Sequence, residues 1–274
     1  MKISQYYAAD GSTKVALVRE GKLYPLLFEG DMIDLIKRGL DIVHDNQGYL
    51  PSEVSFAPAV SKPSKIIALG LNYKDHADES KGAVPENPLV FAKFPNSLIG
   101  HMGTITWSPR ITRKVDYEAE LAVVIGRETK NCPPDKALDN VFGYTCANDV
   151  SARDLQFGDG QWVRGKSLDS FCPLGPWIVT ADELPNPNNL KISCRLNGQT
   201  MQESNTSNMI FCVADIISFL SRHFTLYPGD VILTGTPSGV GAFRKPSIYL
   251  RDGDEVNIEI QGIGTLSNFC EETG

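Results

Sequence analysis

The chain of 274 residues carries 26 Lys and Arg residues against 33 Asp and Glu residues, which gives a formal net charge of −7. That balance argues against a nucleic-acid-binding protein, because such a protein needs a clustered basic surface. The longest apolar runs, such as residues 121–125, are far shorter than the roughly 20 residues of a membrane-crossing helix, so we predict no membrane span.

Six cysteines are spread along the chain with no Cys-x-x-Cys pair among them. A disulfide framework or a thiolate zinc site has a different spacing. Residues 1–5 also lack the apolar core of a secretory signal. We therefore predict reduced thiols and a cytoplasmic location.

The beginning of the chain is rich in short elements. Residues 13–19 and 22–27 are β-rich on either side of a Glu-Gly pair, which predicts a hairpin, and residues 31–38 predict a short helix that ends at a glycine. Prolines in residues 51–63 then indicate a linker or a surface crossing. We predict a small N-terminal, strand-rich domain over residues 1–60 and a catalytic domain over residues 61–274.

Short apolar runs separated by turn residues dominate the rest of the chain, which has 24 Gly and 17 Pro in all. The predicted strands are residues 66–69, 89–94, 121–125, 177–179, 231–233 and 256–260. One amphipathic helix is predicted to begin at caps in residues 206–208 and to pack an apolar stripe from Met209 to Leu220 into the core. This pattern predicts an α+β, mostly-β sandwich or roll.

Three acidic residues alternate along one predicted strand. Asp116, Glu118 and Glu120 share a face, and the strand continues into residues that are apolar on both faces. The acids are either solvated at an exposed strand end or ligands of a divalent cation. Two like charges about 4 Å apart repel by about 4 kcal/mol at an effective dielectric of about 20, so burial would require a proton or a cation between them.

A second acidic segment follows the next apolar strand. Asp149 or Ser151 can cap a short helix that carries Arg153 and Gln156. Alternatively, Asp149 supplies a third carboxylate for an oxygen-ligated ion such as Mg²⁺ or Mn²⁺.

A histidine and a glutamate stand three residues apart shortly after the first strand of the predicted catalytic domain. If the segment is helical, His76 and Glu79 share a face. The pair is either a solvated ion pair or a general base whose carboxylate orients the imidazole. Residues 73–88 contain polar residues, Gly and Pro, and are predicted to form a mobile lid that becomes ordered over a bound ligand.

Two further features have more than one interpretation. Lys166 is either an electrophile or a surface charge. Residues 235–241 follow a strand but lack the spacing of a phosphate loop or a dinucleotide-binding turn. They form either a tight turn or a wall of backbone N–H groups and the Thr236 hydroxyl around a ligand.

Taken in order, these segments resemble the fumarylacetoacetate hydrolase superfamily in its short form, over roughly residues 65–268. The motifs are Asn72-Tyr73-x-x-His76, Tyr117-Glu118-x-Glu120, Asn148-Asp149-x-Ser-Ala-Arg153-Asp154-x-Gln156, Lys166, Gly235-Thr236-Pro237-x-Gly239 and Gly262-x-Gly264-x-Leu266-x-Asn268. The resemblance implies a mixed β-sandwich roll, a homodimer and a Mg²⁺ or Mn²⁺ cofactor.

The resemblance also implies roles for individual residues. Glu118, Glu120 and Asp149 would be the metal ligands. His76 and Glu79 would activate water, and Lys166 would act beside the substrate oxygens. The substrate-binding residues would be Tyr73, Arg153, Gln156 and Thr236.

The activity implied is that of a divalent-metal-dependent hydrolase that cleaves a C–C bond in an acylpyruvate-like diketo acid. The alternative is a decarboxylase or an isomerase of a related 2-oxo acid, such as an oxaloacetate decarboxylase or a 2-hydroxyhepta-2,4-diene-1,7-dioate isomerase. A non-catalytic ligand-binding protein would have no need of the His76–Glu79 pair, so that pair argues against this third possibility.

Overall fold

A large mixed sheet and a smaller sheet pack together in the computed structural model, which describes residues 1–40, 42–80 and 82–274. In spatial order, the main path of the large sheet is β3 (Lys22–Pro25), β2 (Thr13–Arg19), β1 (Lys2–Tyr7), β13 (Cys172–Thr180), β11 (Val141–Asn148), β10 (Ala119–Ile125), β16 (Val231–Leu233), β5 (Ile66–Gly70) and β6 (Leu89–Lys93). Two short strands join it, β4 (Ser55–Phe56) beside β1 and β7 (Leu98–Ile99) beside β13.

The second sheet has five strands. Its order is β15 (Gln199–Asn205), β14 (Lys191–Leu196), β17 (Glu255–Ile260), β18 (Gly264–Glu272) and β8 (Thr104–Trp107). A separate two-stranded ladder joins β9 (Val115–Asp116) to β12 (Ser151–Ala152). This mostly-β, α+β architecture confirms the predicted fold class.

The helices are short and lie around the sheets. They are α1 (Met32–Arg38), α2 (Lys74–Ser80), α3 (Pro134–Ala137), α4 (Arg153–Gly158), α5 (Val163–Lys166) and α6 (Val213–His223). Single 3₁₀ turns occupy Pro51–Glu53, Pro95–Ser97, Leu138–Asn140, Thr206–Asn208 and Gly241–Phe243. In the described ranges, no helix is long and apolar enough to cross a membrane.

Strand β10 is buried on both faces, as its composition predicts. Leu121 and Val123 point into the core between the two sheets, where they join side chains of β14 and β17. Ala122 and Val124 point to the opposite face of the large sheet and join a cluster that includes α1. The carboxylates at the start of β10 therefore lie at the edge of a fully covered sheet.

The first sixty residues continue the large sheet. The predicted hairpin is present as β2 and β3, and Asp31 caps α1 with its side chain. Strand β1 pairs with β13 as well as with β2. The backbone hydrogen bonding is thus continuous across the predicted domain boundary, and the division at residue 60 stays a prediction.

Two predicted helix starts are wrong. The amphipathic helix begins at Val213, after Cys212. Met209 lies outside it because residues 209–211 form hydrogen bonds with the backbone and the side chain of the segment around Asn72. Its other predicted core residues are buried.

Likewise, α4 begins at Arg153 with Ala152 as its N-cap and no side-chain cap. The Asp149 carboxylate forms salt bridges with two lysines, and the Ser151 hydroxyl donates to the Asp149 carbonyl oxygen. Both candidate caps are thus committed elsewhere.

Candidate functional site

Three buried carboxylates meet where β10 begins and β11 ends. Ala119 and Asn148 are directly paired across these antiparallel strands, so the flanking Glu118, Glu120 and Asp149 come together. Ligand oxygens of the three side chains lie within 4.8 Å of one another. All three residues are buried, which excludes the alternative of a solvated strand end.

Asp116 does not join this cluster, contrary to the expectation that it shares a face with Glu118 and Glu120. The extended segment is interrupted between β9 and β10. The Asp116 carboxylate instead accepts hydrogen bonds from Arg153 Nε at 2.8 Å and from the backbone N–H groups of Gly241 and Ala242.

Three buried basic side chains balance the acids. Lys166 Nζ donates to Glu118 Oε2 at 2.9 Å and to Asp149 Oδ2 at 2.6 Å. Lys93 Nζ donates to Asp149 Oδ1 at 2.7 Å, and Arg153 Nη1 lies 2.6 Å from Glu118 Oε1. Lys166 is therefore an internal counter-ion of the cluster rather than a surface charge.

Glu120 has no basic side chain among its hydrogen-bond and salt-bridge partners in the described part of the chain. Its Oε2 accepts from the backbone N–H of Gly235 at 2.7 Å, whereas its Oε1 is buried without a hydrogen-bond partner. Burial, reinforced by the charges of Asp149 and Glu118, raises the pKa of Glu120 well above its ordinary value. In the absence of a cation, these effects favour the protonated form of this carboxyl.

Glu118 titrates in the opposite direction. Burial alone would raise its pKa, but the positive charges of Lys166 and Arg153 outweigh that effect and lower it to about 2. The cluster thus combines an ionised carboxylate with a carboxyl whose unpaired oxygen requires a proton or a cation. Hard oxygen ligands of this kind fit Mg²⁺ or Mn²⁺.

The predicted base pair lies on α2 beside the acid cluster. His76 Nδ1 is 3.2 Å from Glu79 Oε2, as expected for residues three apart on a helix. The two carboxylate oxygens of Glu79 also accept from the Gly239 N–H at 3.0 and 3.1 Å. Because a carboxylate only accepts hydrogen bonds, Nδ1 carries the proton and Nε2 is the basic nitrogen.

A cavity of about 230 Å³ opens onto these groups. Its polar lining residues include His76, Glu118, Arg153, Gln156, Lys166 and Thr236. The loop after β16 therefore serves both as a tight turn and as a cavity wall, since it contributes the Thr236 side chain and the N–H groups bound to Glu79 and Glu120. The structure brings the predicted catalytic residues and three of the four predicted substrate-binding residues into one site.

Tyr73 is the exception among the predicted substrate-binding residues. In the described part of the chain, the cavity lining does not include it. Its hydroxyl is buried and has no hydrogen-bond partner within residues 1–40, 42–80 and 82–274. Burial, together with the charge of Glu120, raises the pKa of Tyr73. Tyr73 is therefore buried close to Glu120 and is not part of the cavity wall in the described residues.

The predicted lid over residues 73–88 is helical in its first half. Its first half forms α2, with His76 and Ala77 buried. Lys81, within the predicted lid, lies outside the described residues. Ordering of this segment on ligand binding stays a prediction.

Sequence reasoning missed the role of Lys93. This residue is buried at the end of β6 and also donates to the backbone carbonyl oxygens of Val150 and Lys166. A lysine within a predicted apolar strand was the available signal, because a buried ammonium needs a charged partner.

Comparisons with known proteins bear on what this site does. Residues 65–270 match the family described as fumarylacetoacetate (FAA) hydrolase C-terminal. Over 218 residues the chain is 49% identical to oxaloacetate tautomerase Fahd2a, mitochondrial, of Rattus norvegicus. The aligned segment covers 79% of this chain and 69% of that protein.

Solved structures that cover the whole chain include the following two. A fumarylacetoacetate hydrolase from Exiguobacterium antarcticum is 37% identical with a TM-score of 0.90, over 100% of both chains. A 2-hydroxyhepta-2,4-diene-1,7-dioate isomerase from Mycobacterium marinum is 34% identical with a TM-score of 0.83, over 100% of this chain and 99% of the other. Both similarities agree with the predicted sandwich-roll fold.

Proposed function

This chain belongs to the fumarylacetoacetate hydrolase family, and from that premise we propose that it is a divalent-metal-dependent enzyme that interconverts the keto and enol forms of a 2-oxo acid. The observation that carries the proposal is one cavity lined both by Glu118 of the three-carboxylate cluster and by His76, the partner of Glu79. The relatives named as a tautomerase and an isomerase support proton transfer as well as hydrolysis.

The cation would be held by Glu118, Glu120 and Asp149, where it would supply Lewis-acid polarisation of the substrate's oxo and carboxylate oxygens. His76 Nε2 accepts the proton released from the carbon beside the oxo group. Glu79 holds the imidazole ring through Nδ1 and stabilises its protonated form.

The electrons of the broken C–H bond pass to the oxo oxygen, which becomes negatively charged. Lys166 is positioned to stabilise that charge, because Asp149 and Glu118 outweigh the effect of burial and raise its pKa, so that it remains an ammonium. Protonation of the oxygen completes the enol, and the reverse sequence returns a proton to carbon. Arg153 Nη2 is buried and has no hydrogen-bond partner among the described residues, so it is available to the substrate carboxylate.

A second candidate is hydrolytic cleavage of an acylpyruvate. The observation in its favour is that the His76–Glu79 pair, anchored to Gly239, can equally deprotonate a water molecule. Cleavage of the C–C bond would also leave a negative charge on the substrate oxygen. The same residues can therefore support either reaction.

The test is an assay of three reactions with Mg²⁺, Mn²⁺ or EDTA. Conversion of the oxaloacetate enol should be metal-dependent, with acetylpyruvate hydrolysis and oxaloacetate decarboxylation measured in parallel. His76→Gln should lower turnover by about 10²–10⁴-fold, whereas His223→Gln, at an exposed position on α6, should not change it. Hydrolysis without enol conversion would favour the second candidate, and metal-independent turnover would refute the proposal.

A homodimer, a cytoplasmic location and the absence of nucleic-acid or membrane partners remain predictions. The homodimer rests on the family resemblance and can be checked by light scattering of the purified protein. The name of the rat relative places that protein in mitochondria, so the location of this chain needs a direct measurement.

A further inference from the structure

Apolar side chains form a large part of the cavity lining. Besides the polar groups at the acid cluster, the lining contains Leu69, Leu71, Phe91, Phe157, Trp162 and Phe243. We infer that the substrate is a 2-oxo acid whose tail, beyond the reacting carbon, is apolar and aromatic, and that Trp162 determines this preference. The inference rests on the proposed function, since it assumes that the oxo-acid end binds at the carboxylate cluster.

Trp162 has a defined place in the wall. Its indole lies over Gly70, where an added Cβ would come within 2.5 Å of the ring. It also packs edge-on against Phe91, with ring centroids 5.3 Å apart at 70°. The glycine at the end of β5 thus leaves space that the indole fills, and an aromatic pair holds it there.

The aromatic wall is continuous with the reacting end of the cavity. Lys166 Nζ lies 5.1 Å from the centre of the Phe91 ring, on the same side chain that contacts Trp162. A second aromatic ring of the lining, that of Phe243, lies 5.8 Å from the His76 ring. A substrate held between Lys166 and His76 would therefore place its tail against aromatic surfaces.

The positively charged side chains at the polar end of the cavity already form salt bridges within the protein. Among the described lining residues, the Lys and Arg side chains are Lys166 and Arg153, and both form salt bridges with Glu118. Arg153 Nη2 can bind one carboxylate, which we assign to the oxo-acid end. A second carboxylate in the tail would lose hydration against aromatic rings without gaining a cationic partner.

The size of the cavity limits the tail. Small-molecule sites typically enclose roughly 300–1,000 Å³, and this cavity measures about 230 Å³. The space suits a short tail or a single ring.

The test compares phenylpyruvate with oxaloacetate as substrates of the Mg²⁺-loaded protein. We expect kcat/KM for keto–enol conversion to be at least about tenfold higher for phenylpyruvate, since apolar contacts of this size discriminate by about 10–200-fold. Trp162→Ala should reduce the phenylpyruvate value at least about tenfold more than it reduces the oxaloacetate value. Trp162→Phe should restore most of the preference.

Phe269→Ala is the matched control, because it removes a partly exposed aromatic ring on β18, away from the cavity. A preference for oxaloacetate, or an equal loss for both substrates in Trp162→Ala, would overturn the inference. If neither acid is turned over, the proposed function fails. The preference for an apolar tail can then still be tested, because calorimetry with the same two acids and Mg²⁺ measures their relative affinities. Equal or weaker binding of phenylpyruvate in that experiment would also overturn it.

Discussion

Replacing Asp116 with asparagine tests whether buried charges outside the carboxylate cluster hold the site together. Asp116 Oδ1 accepts from the N–H groups of Tyr117 and Gly241, and Oδ2 accepts from Ala242 N–H and Arg153 Nε. In either orientation, the amide NH₂ group of asparagine would face two donors. The variant would also remove one of the two carboxylates with which Arg153 forms salt bridges, and would leave Glu118 as the other.

The expected cost is large because every group involved is buried. Breaking a buried ion pair by neutralising one partner typically costs about 3–5 kcal/mol. In a domain of 150–250 residues each kcal/mol lowers Tm by about 2–4 °C, so Asp116→Asn should lower Tm by about 6–20 °C. Arg153 also contacts Glu118 Oε1 at 2.6 Å, so the affinity for Mg²⁺ should fall as well.

Scanning calorimetry with Mg²⁺ and with EDTA measures both effects. Glu259→Gln is the matched control, because it neutralises an acid in a half-exposed pair with Arg195 on the second sheet, and pairs of that kind contribute about 0–1 kcal/mol. If the two variants shift Tm equally, the assignment of Asp116 as a buried structural anion is refuted.

Glu120→Gln should abolish tight binding of Mg²⁺ or Mn²⁺, because it removes the carboxylate with an unpaired buried oxygen; calorimetric titration equal to wild type would contradict this. In the wild-type protein, the raised pKa of Glu120 means that cation binding displaces a proton. Affinity should therefore rise with pH until that pKa is passed, and the binding enthalpy should depend on the buffer's ionisation enthalpy; an enthalpy independent of buffer would refute the assignment. Gly241→Ala should yield little folded protein, because its Cβ would overlap the Ile248 carbonyl oxygen; a wild-type circular dichroism spectrum and Tm would show otherwise.

The sequence alone predicted features that depend on local pattern. Strand β10 carries apolar side chains at successive positions, and successive side chains of a strand point to opposite faces. Burial of both faces therefore follows from the sequence alone. The His76–Glu79 contact follows from the spacing of a helix. The prediction that Glu118, Glu120 and Asp149 form one ligand set depended on the order of six motifs along the chain. No single acidic segment distinguishes metal ligands from solvated charges.

Other features were decided by contacts between distant parts of the chain. Lys93 meets Asp149 across 56 residues, and Asp116 meets Arg153 across 37 residues. The predicted start of α6 failed for the same reason, since Asn72 accepts the N–H of Phe211 from 139 residues away and draws the segment before the helix into an extended path.

The difference between the features predicted from sequence and those decided by distant contacts has a physical cause. Strand and helix periodicity, turns and the identity of the reactive side chains are properties of neighbouring residues, so the amino-acid sequence determines them directly. Which buried ammonium neutralises which carboxylate, and which apolar rings face the substrate, depends on how strands from separate regions pack. Those pairings set the charge of the cluster and the shape of the cavity, and only the tertiary structure decides them.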